Sequence, residues 1–149
     1  MEAKVYCVCN QKGGCAKTVT TVNLGIGLAR EGRRVLLLDI DSQGSLTASL
    51  GCQQPDQLSL TLADALKAVI EETPFGCGEG ILHHSEGIDF LPANIELSGM
   101  EVTLVNAMSR ETVLRRYLET VKENYDVIIL DCMPSLGMLT INALAASDE

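Results

Sequence analysis

Residues 10–21 carry Lys12, Lys17 and Thr18 in close succession, and side chains of these types can bind phosphate and a metal ion. The segment reads Asn-Gln-Lys-Gly-Gly-Cys-Ala-Lys-Thr-Val-Thr-Thr and lies between an apolar run and an amphipathic one. A strand, a glycine-containing loop and a helix in this order form a cradle for phosphate, because backbone N–H groups point at the anion. In such a loop Lys17 contacts the β- and γ-phosphates, and the Thr18 hydroxyl binds Mg²⁺. The loop also carries a second lysine, Lys12, and has Ala16 where glycine is usual.

Carboxylates follow two other apolar runs. Asp39 and Asp41 follow one run and Asp131 follows the other. An aspartate in this position is typical of an Mg²⁺ site, although a turn-forming role is the alternative. Asp41 lies beyond Asp39, closer to where the phosphates would bind, and is predicted to orient a water molecule. Asp39 is predicted to support the loop or the metal's water shell, or else to cap the turn at residues 42–44.

Strands and helices are predicted to alternate along the chain. The predicted strands are 5–10, 34–39, 80–83, 88–91 and 126–131, and the predicted helices are 18–31, 62–71, 97–107, 110–123 and 139–146. Such alternation predicts an α/β fold, a doubly wound, mostly parallel sheet with flanking helices. Because ligands bind at the carboxyl ends of such strands, the loop and the aspartates should converge on one site.

Length and charge limit the possible functions. The 149 residues are enough for one domain, and the net charge of −9 argues against nucleic-acid binding through the average surface. Arg30, Arg33 and Arg34 are predicted to complement a helix dipole and stay solvated. No run is long enough to span a bilayer and no signal sequence is evident, so a cytoplasmic location is expected.

Six cysteines raise the possibility of disulfides or a metal site. Their spacing argues against disulfides: Cys7 and Cys9 share one face of a predicted strand, and Cys132 follows another strand. We predict that these three are small core residues. A metal site from Cys77, His83 and His84 is an alternative, but the spacing matches no known zinc pattern.

Three motifs in order resemble those of the ParA/MinD ATPases. Residues 12–18 resemble the deviant Walker A motif, KGGxGKT, of this P-loop NTPase family, and Asp39-Ile-Asp41-Ser-Gln-Gly resembles its DxDPQG segment. Residues 125–137 resemble YDxILIDCPPSLG. The residues in these motifs are most similar to those of the ParA/Soj partition branch of the family.

The resemblance implies Mg-ATP binding and roles for individual residues. Lys12 would be the signature lysine that reaches a partner's phosphates across a dimer, and it would act with Lys17 and Asp41 in catalysis. The implied nucleotide-binding residues are Lys12, Gly13, Gly14, Cys15, Ala16, Lys17, Thr18 and Val19. The implied Mg²⁺ site comprises Thr18, Asp41 and Asp131. The implied switch residues are Asp39, Ser42, Gln43, Pro134 and Gly137.

The resemblance also implies partners. We expect an ATP-dependent homodimer and a centromere-binding, ParB-like partner that stimulates hydrolysis. Non-specific DNA binding is expected through the full-length dimer, not through this acidic segment, and no membrane contact is expected. Residues 1–149 are interpreted as the N-terminal portion of a single P-loop ATPase domain, with C-terminal strands missing. The location would be cytoplasmic, and nucleoid-associated at full length.

Several residues depart from the family pattern. Ala16 replaces glycine, Val19 replaces threonine, and Ser42 and Met133 replace prolines. If the backbone at Ala16 needed a positive φ, alanine would cost about 1–2 kcal/mol, and its methyl group could crowd the phosphate. An alternative is therefore a catalytically weak or inactive remnant that folds and only binds nucleotide. A MinD-like membrane-cycling regulator is a further alternative, and it would need a C-terminal amphipathic helix.

Overall fold

One five-stranded sheet organises the residues that the computed structural model describes, which are 3–9, 15–76, 78–132 and 137–149, with residues 15–17 as backbone only. The strands are β1 (Lys4–Val8), β2 (Val35–Ile40), β3 (Leu82–His83), β4 (Asp89–Leu91) and β5 (Val127–Cys132). Their order is β1-β5-β2-β4-β3. The pairs β1–β5, β5–β2 and β2–β4 are parallel, and β3 is antiparallel to β4. The prediction of a mostly parallel sheet is confirmed.

Helices flank this sheet on both faces. Within the described ranges they are α1 (Cys15–Arg30), α2 (Ser45–Ser49), α3 (Leu62–Glu71), α4 (Leu97–Val105), α5 (Val113–Glu119) and α6 (Met138–Ala146). The helix predicted over 110–123 is shorter in the structure, because 3₁₀ turns at Arg110–Thr112 and Lys122–Asn124 bracket α5. The helix α2 was not predicted, because its five residues are too few to show a helical period.

Side chains of successive strand residues alternate between the two faces. Val35 and Leu37 of β2 pack in one cluster with Ile26 of α1, whereas Leu36 and Leu38 pack in a second cluster with residues of α3 to α6. Every residue of β2 and β5 is buried. This explains why both strands are continuous apolar runs in the sequence.

The helix α1 begins at Cys15, which is earlier than predicted. Thr18, Thr21 and Gly25 face the protein, whereas Val19 is 52% exposed. At 100° per residue, Val19 lies about a third of a turn from the centre of the face that these three residues form. The helix ends at Arg30, and Gly32 follows with a φ of 87°, a left-handed conformation that is common just after a helix and that glycine adopts easily.

The arginines near the end of α1 form exposed ion pairs. Arg30 contacts Glu86 at 3.2 Å, and Arg34 contacts Asp126 at 3.1 Å. Hydrogen bonds from Arg34 lower the pKa of the Asp126 carboxyl.

Across the described residues, no helix combines the length and apolarity needed to cross a membrane.

Candidate functional site

Two of the predicted aspartates are direct neighbours in the sheet. Asp39 at the end of β2 is paired in register with Asp131 near the end of β5, and both are fully buried. Asp39 follows Val35 and Leu37 in the strand alternation, which puts it on the face covered by α1. The prediction that these strand ends converge is confirmed.

Thr18, in the first part of α1, contacts the carboxylate of Asp131. Its hydroxyl donates a hydrogen bond to Asp131 Oδ2 at 3.0 Å, and the Thr21 hydroxyl donates to Asp131 Oδ1 at 3.4 Å. Both threonines are buried. Sequence reasoning found Thr18 and missed Thr21, although two threonines three residues apart on one helix face were a usable signal.

Asp39 is anchored by a residue that was not predicted. Its Oδ2 accepts bonds from the Thr47 amide at 2.9 Å and the Thr47 hydroxyl at 2.7 Å, and the Ala93 amide donates in turn to that hydroxyl oxygen at 2.9 Å. Asp39 Oδ1 is buried with no hydrogen-bond partner among the described residues. Burial raises the pKa of Asp39 to about 7, the bonds from Thr47 oppose this rise, and the Asp131 charge adds to it.

Asp41, not Asp39, shapes the turn that follows β2. Asp41 Oδ1 accepts a hydrogen bond from the Gln43 amide at 2.9 Å, and the Asp41 carbonyl accepts one from Gly44 at 2.8 Å. The alternative in which Asp39 caps the turn at residues 42–44 is therefore wrong. Asp39 lies inside the strand, so its side chain points into the protein, and only the residue after the strand can reach the turn amides.

Glu101 of α4 holds the start of α6. Its Oε2 accepts a hydrogen bond from the Met138 amide at 2.6 Å, and its Oε1 accepts one from the Leu139 amide at 3.2 Å. A Cβ added at Gly137 would lie 2.6 Å from Glu101 Oε1, so the carboxylate fits here only beside glycine. Nothing in the local sequence pairs Glu101 with residues so distant along the chain. The structure thus gives Gly137, a predicted switch residue, a packing reason to be glycine.

Replacing Glu101 by alanine is expected to lower the free energy of unfolding by about 1–2 kcal/mol, because it removes a carboxylate from a helix N-terminus. Gly137→Ala should cost a similar amount by displacing the same carboxylate. Urea unfolding of the two single variants and the double variant tests this. If both act through one contact, the double variant should lose clearly less than the sum. Strict additivity would contradict the assignment.

Parts of the predicted site fall outside the described residues. Lys12, Gly13, Gly14 and Pro134 lie there, as do the side chains of Cys15, Ala16 and Lys17. Because α1 begins at Cys15, the backbone at Ala16 is helical. The helical region has a negative φ, so a strain cost for alanine is not expected. Ser42 is half-buried and Gln43 is exposed in the turn shaped by Asp41.

The predicted role of three cysteines as core residues is confirmed for Cys132, holds in part for Cys7, which packs against the core, and is wrong for Cys9. Cys132 is buried, but Cys7 is half-buried and Cys9, beyond the end of β1, is exposed. Hydrogen bonding with Cys7 and burial raise the pKa of the Cys132 thiol. The strand β1 ends at Val8, before Cys9, although it was predicted to continue to residue 10. The side chain of Cys9 is therefore not held within the sheet and reaches the surface.

The alternative metal site is not assembled by its two histidines. His83 Nδ1 pairs with Asp89 at 2.7 Å, and His84 Nδ1 accepts a hydrogen bond from the Glu86 amide at 3.1 Å. Cys77 lies outside the described residues.

The chemistry at the carboxyl ends of β2 and β5 suits Mg²⁺. The groups available there are oxygens: the Thr18 hydroxyl, the Asp131 carboxylate, and the buried Asp39 Oδ1 with no described partner. Mg²⁺ prefers oxygen ligands and keeps several waters. The residues present therefore fit the ion that the loop sequence implies.

Sheet order, flanking helices and the position of this site define a P-loop nucleotide-binding fold. A family model described as "AAA domain" matches residues 3–149. The sporulation initiation inhibitor protein Soj of Bacillus subtilis is 47% identical over 98% of this chain and 56% of its own length. The chromosome partitioning protein ParA of Myxococcus xanthus is 44% identical over 98% of this chain and 50% of its own length. The chain therefore belongs to this AAA-domain family, and over almost its whole length it is similar to the ParA and Soj proteins.

Solved structures share the fold. The structure of cobyrinic acid a,c-diamide synthase from Mycobacterium smegmatis, with a bound ATP analogue and magnesium, has a TM-score of 0.90 and 43% identity to this chain. The match covers 97% of this chain and 57% of that one. The chain spans about half the length of the curated relatives it matches, from 45% to 56%.

Proposed function

We propose that this chain carries the Mg-ATP site of an ATP-hydrolysing dimerisation switch for plasmid or chromosome partition. One observation carries the proposal: the Thr18 hydroxyl lies 3.0 Å from Asp131 Oδ2, at a strand end paired in register with Asp39. The loop sequence predicts a metal-binding threonine at residue 18, and in the structure that hydroxyl hydrogen-bonds to the carboxylate of Asp131. Two relatives similar over almost the whole chain support this function: the chromosome-partitioning ATPase Soj of Treponema pallidum and the chromosome partitioning protein ParA of Myxococcus xanthus.

Each residue has a distinct part in the proposed chemistry. The Thr18 hydroxyl and the Asp131 carboxylate would hold Mg²⁺, directly or through water, and the bound ion neutralises phosphate charge. Lys17 would bind the β- and γ-phosphates. Asp41, just beyond β2, would position the attacking water and could also contact the ion's water shell. Asp39 would support this edge of the site through its bonds to Thr47.

A second subunit would complete the site. Lys12 would reach the partner's phosphates and stabilise charge that develops in the transition state, as an arginine finger does. ATP binding would then favour the homodimer, and hydrolysis would release it. A ParB-like protein and non-specific DNA are the proposed partners of the full-length dimer, since the charge of −9 on this chain disfavours DNA binding on its own.

Titration with a fluorescent ATP analogue, with and without Mg²⁺, tests the proposed site. We expect binding to strengthen with Mg²⁺ in the natural sequence and to be lost in Lys17→Ala. Phosphate release from ATP, with Lys17→Ala as background, then tests hydrolysis. Binding that responds neither to Mg²⁺ nor to loss of Lys17 would overturn the proposal.

Ala16 is the observation that favours a second candidate, a weak or inactive nucleotide-binding protein. Because the backbone there is helical, crowding of the phosphate by the methyl group is the remaining reason for weak binding. We expect Ala16→Gly to tighten binding of the ATP analogue about fivefold, equivalent to about 1 kcal/mol of relieved overpacking. Unchanged affinity in the same titration would remove the argument for impaired binding.

A further inference from the structure

Three cysteine sulfurs meet beside the carboxyl ends of β1 and β5. Cys7 Sγ lies 3.0 Å from both Cys9 Sγ and Cys132 Sγ. All three sulfurs lie within 4.8 Å of one another. Among the described residues, this is the one group of three or more cysteine, histidine or acidic side chains whose ligand atoms come so close. None of the three cysteines is in a disulfide.

The spacing of the sulfurs is near that of a thiolate metal site. Zinc–sulfur bonds of about 2.3 Å in a tetrahedral arrangement separate the sulfurs by about 3.8 Å. The two short separations of 3.0 Å would therefore have to widen by less than an ångström. Such a change is within the reach of side-chain rotation. Cys9 is exposed, which gives a cation a way in.

This cluster is separate from the proposed Mg²⁺ site. Cys132 follows Ile128 and Leu130 in the alternation of β5, and these residues pack with α3 to α6. Asp131 points to the opposite face, toward Thr18 of α1. The ligand chemistry also differs, since thiolates select soft or borderline cations and oxygens select Mg²⁺.

We propose that Cys7, Cys9 and Cys132 bind a thiophilic divalent cation, for which zinc is the probe, with water in the fourth position. Each cysteine supplies one thiolate, and each thiol that binds gives its proton to solvent. No oxidation or reduction takes place in this step. The site has three protein ligands and an open position, so it is not a closed structural zinc site of the four-cysteine kind.

Zinc titration of the purified protein under anaerobic, reducing conditions tests the proposal, with a chromophoric chelator as competitor. We expect one zinc ion per chain, and we expect Co²⁺ in its place to give a thiolate-to-cobalt charge-transfer band. Cys9→Ser and Cys132→Ala should each weaken zinc binding by about tenfold or more. Cys52→Ser is the matched control, because Cys52 is half-buried and lies outside the cluster.

Cys9→Ser keeps the test decisive even if Cys132→Ala fails to fold, since an exposed side chain contributes little to the core. Zinc affinity that is unchanged in Cys9→Ser, or reduced equally in Cys52→Ser, would overturn the proposal. So would the absence of a charge-transfer band. Formation of a Cys7–Cys132 disulfide with no zinc uptake by the reduced protein would also overturn it, by assigning the cluster to redox chemistry.

Discussion

In the presence of Mg²⁺, Thr18→Ala is expected to lower the affinity for ATP by about tenfold or more. Most of the increase in affinity that Mg²⁺ gives the natural protein should be lost. The physical reason is the loss of the one hydroxyl that the loop motif assigns to the metal. In the structure this hydroxyl already lies 3.0 Å from Asp131 Oδ2, so it faces the carboxylate proposed for the same ion. Titration with a fluorescent ATP analogue across a Mg²⁺ series measures the effect.

Thr21→Ala provides the matched control for Thr18→Ala. Thr21 is also buried and also donates to Asp131, at 3.4 Å, but the motif gives it no ligand role. Both substitutions should cost about 1 kcal/mol of stability through a lost hydrogen bond. Only Thr18→Ala should lose most of the increase in ATP affinity that Mg²⁺ gives. Thr18→Ser, which keeps a hydroxyl at this position, should retain that increase. Equal loss in both alanine variants would show that the effect comes from disturbing Asp131 and not from a missing ligand.

The second large effect is a dependence of stability on pH that comes from Asp39. Burial raises its folded pKa from 3.8 to about 7, so the folded protein holds a proton that the unfolded chain has lost. The stabilising effect of that proton is complete below about pH 4 and disappears as the pH rises through about 7. In that range the metal-free protein should lose at most about 1.4 kcal/mol of stability per pH unit from this group.

Asp39→Asn should remove this pH dependence. Its carbonyl can still accept the bonds from Thr47, and it does not titrate. Urea unfolding in EDTA at several pH values from 5 to 8 should show the natural protein losing stability relative to Asp39→Asn. Asp126→Asn is the control, because the pKa of Asp126 is lowered and its contribution changes only at more acidic pH. A constant difference between Asp39→Asn and the natural protein would contradict the prediction.

The fold was largely predictable because β2 and β5 are buried on both faces. Their residues read as unbroken apolar runs, and each ends at an aspartate that marks the carboxyl edge of the sheet. The predicted bounds of α3 match the structure, which has a capping box between Thr61 and Asp64. These signals are local, so a single sequence carries them.

The site was predictable only where its contacts follow a motif. The motif identified Thr18 and Asp131, and the register of β2 and β5 then confirmed that Asp39 lies beside Asp131. The bond from Thr47 to Asp39 joins a strand to a helix too short to have been predicted. The bonds to Glu101 connect residues 37 and 38 positions apart. Such pairings depend on tertiary packing, and no local pattern encodes them. The assigned roles of Lys12, Lys17 and Asp41 stay predictions.

The pairing of β1 has a consequence for the order in which the protein folds. Within the described sheet β1 pairs with β5, with Lys4 in register with Val127, and it also hydrogen-bonds to residues 148 and 149. All of these partners lie more than a hundred residues later in the chain, and closing so long a loop is slow. Residues at the end of β1, including Cys7, should reach their final positions late. In pulse-labelling hydrogen exchange, the amides of β1 should gain protection after those of β2 and β4.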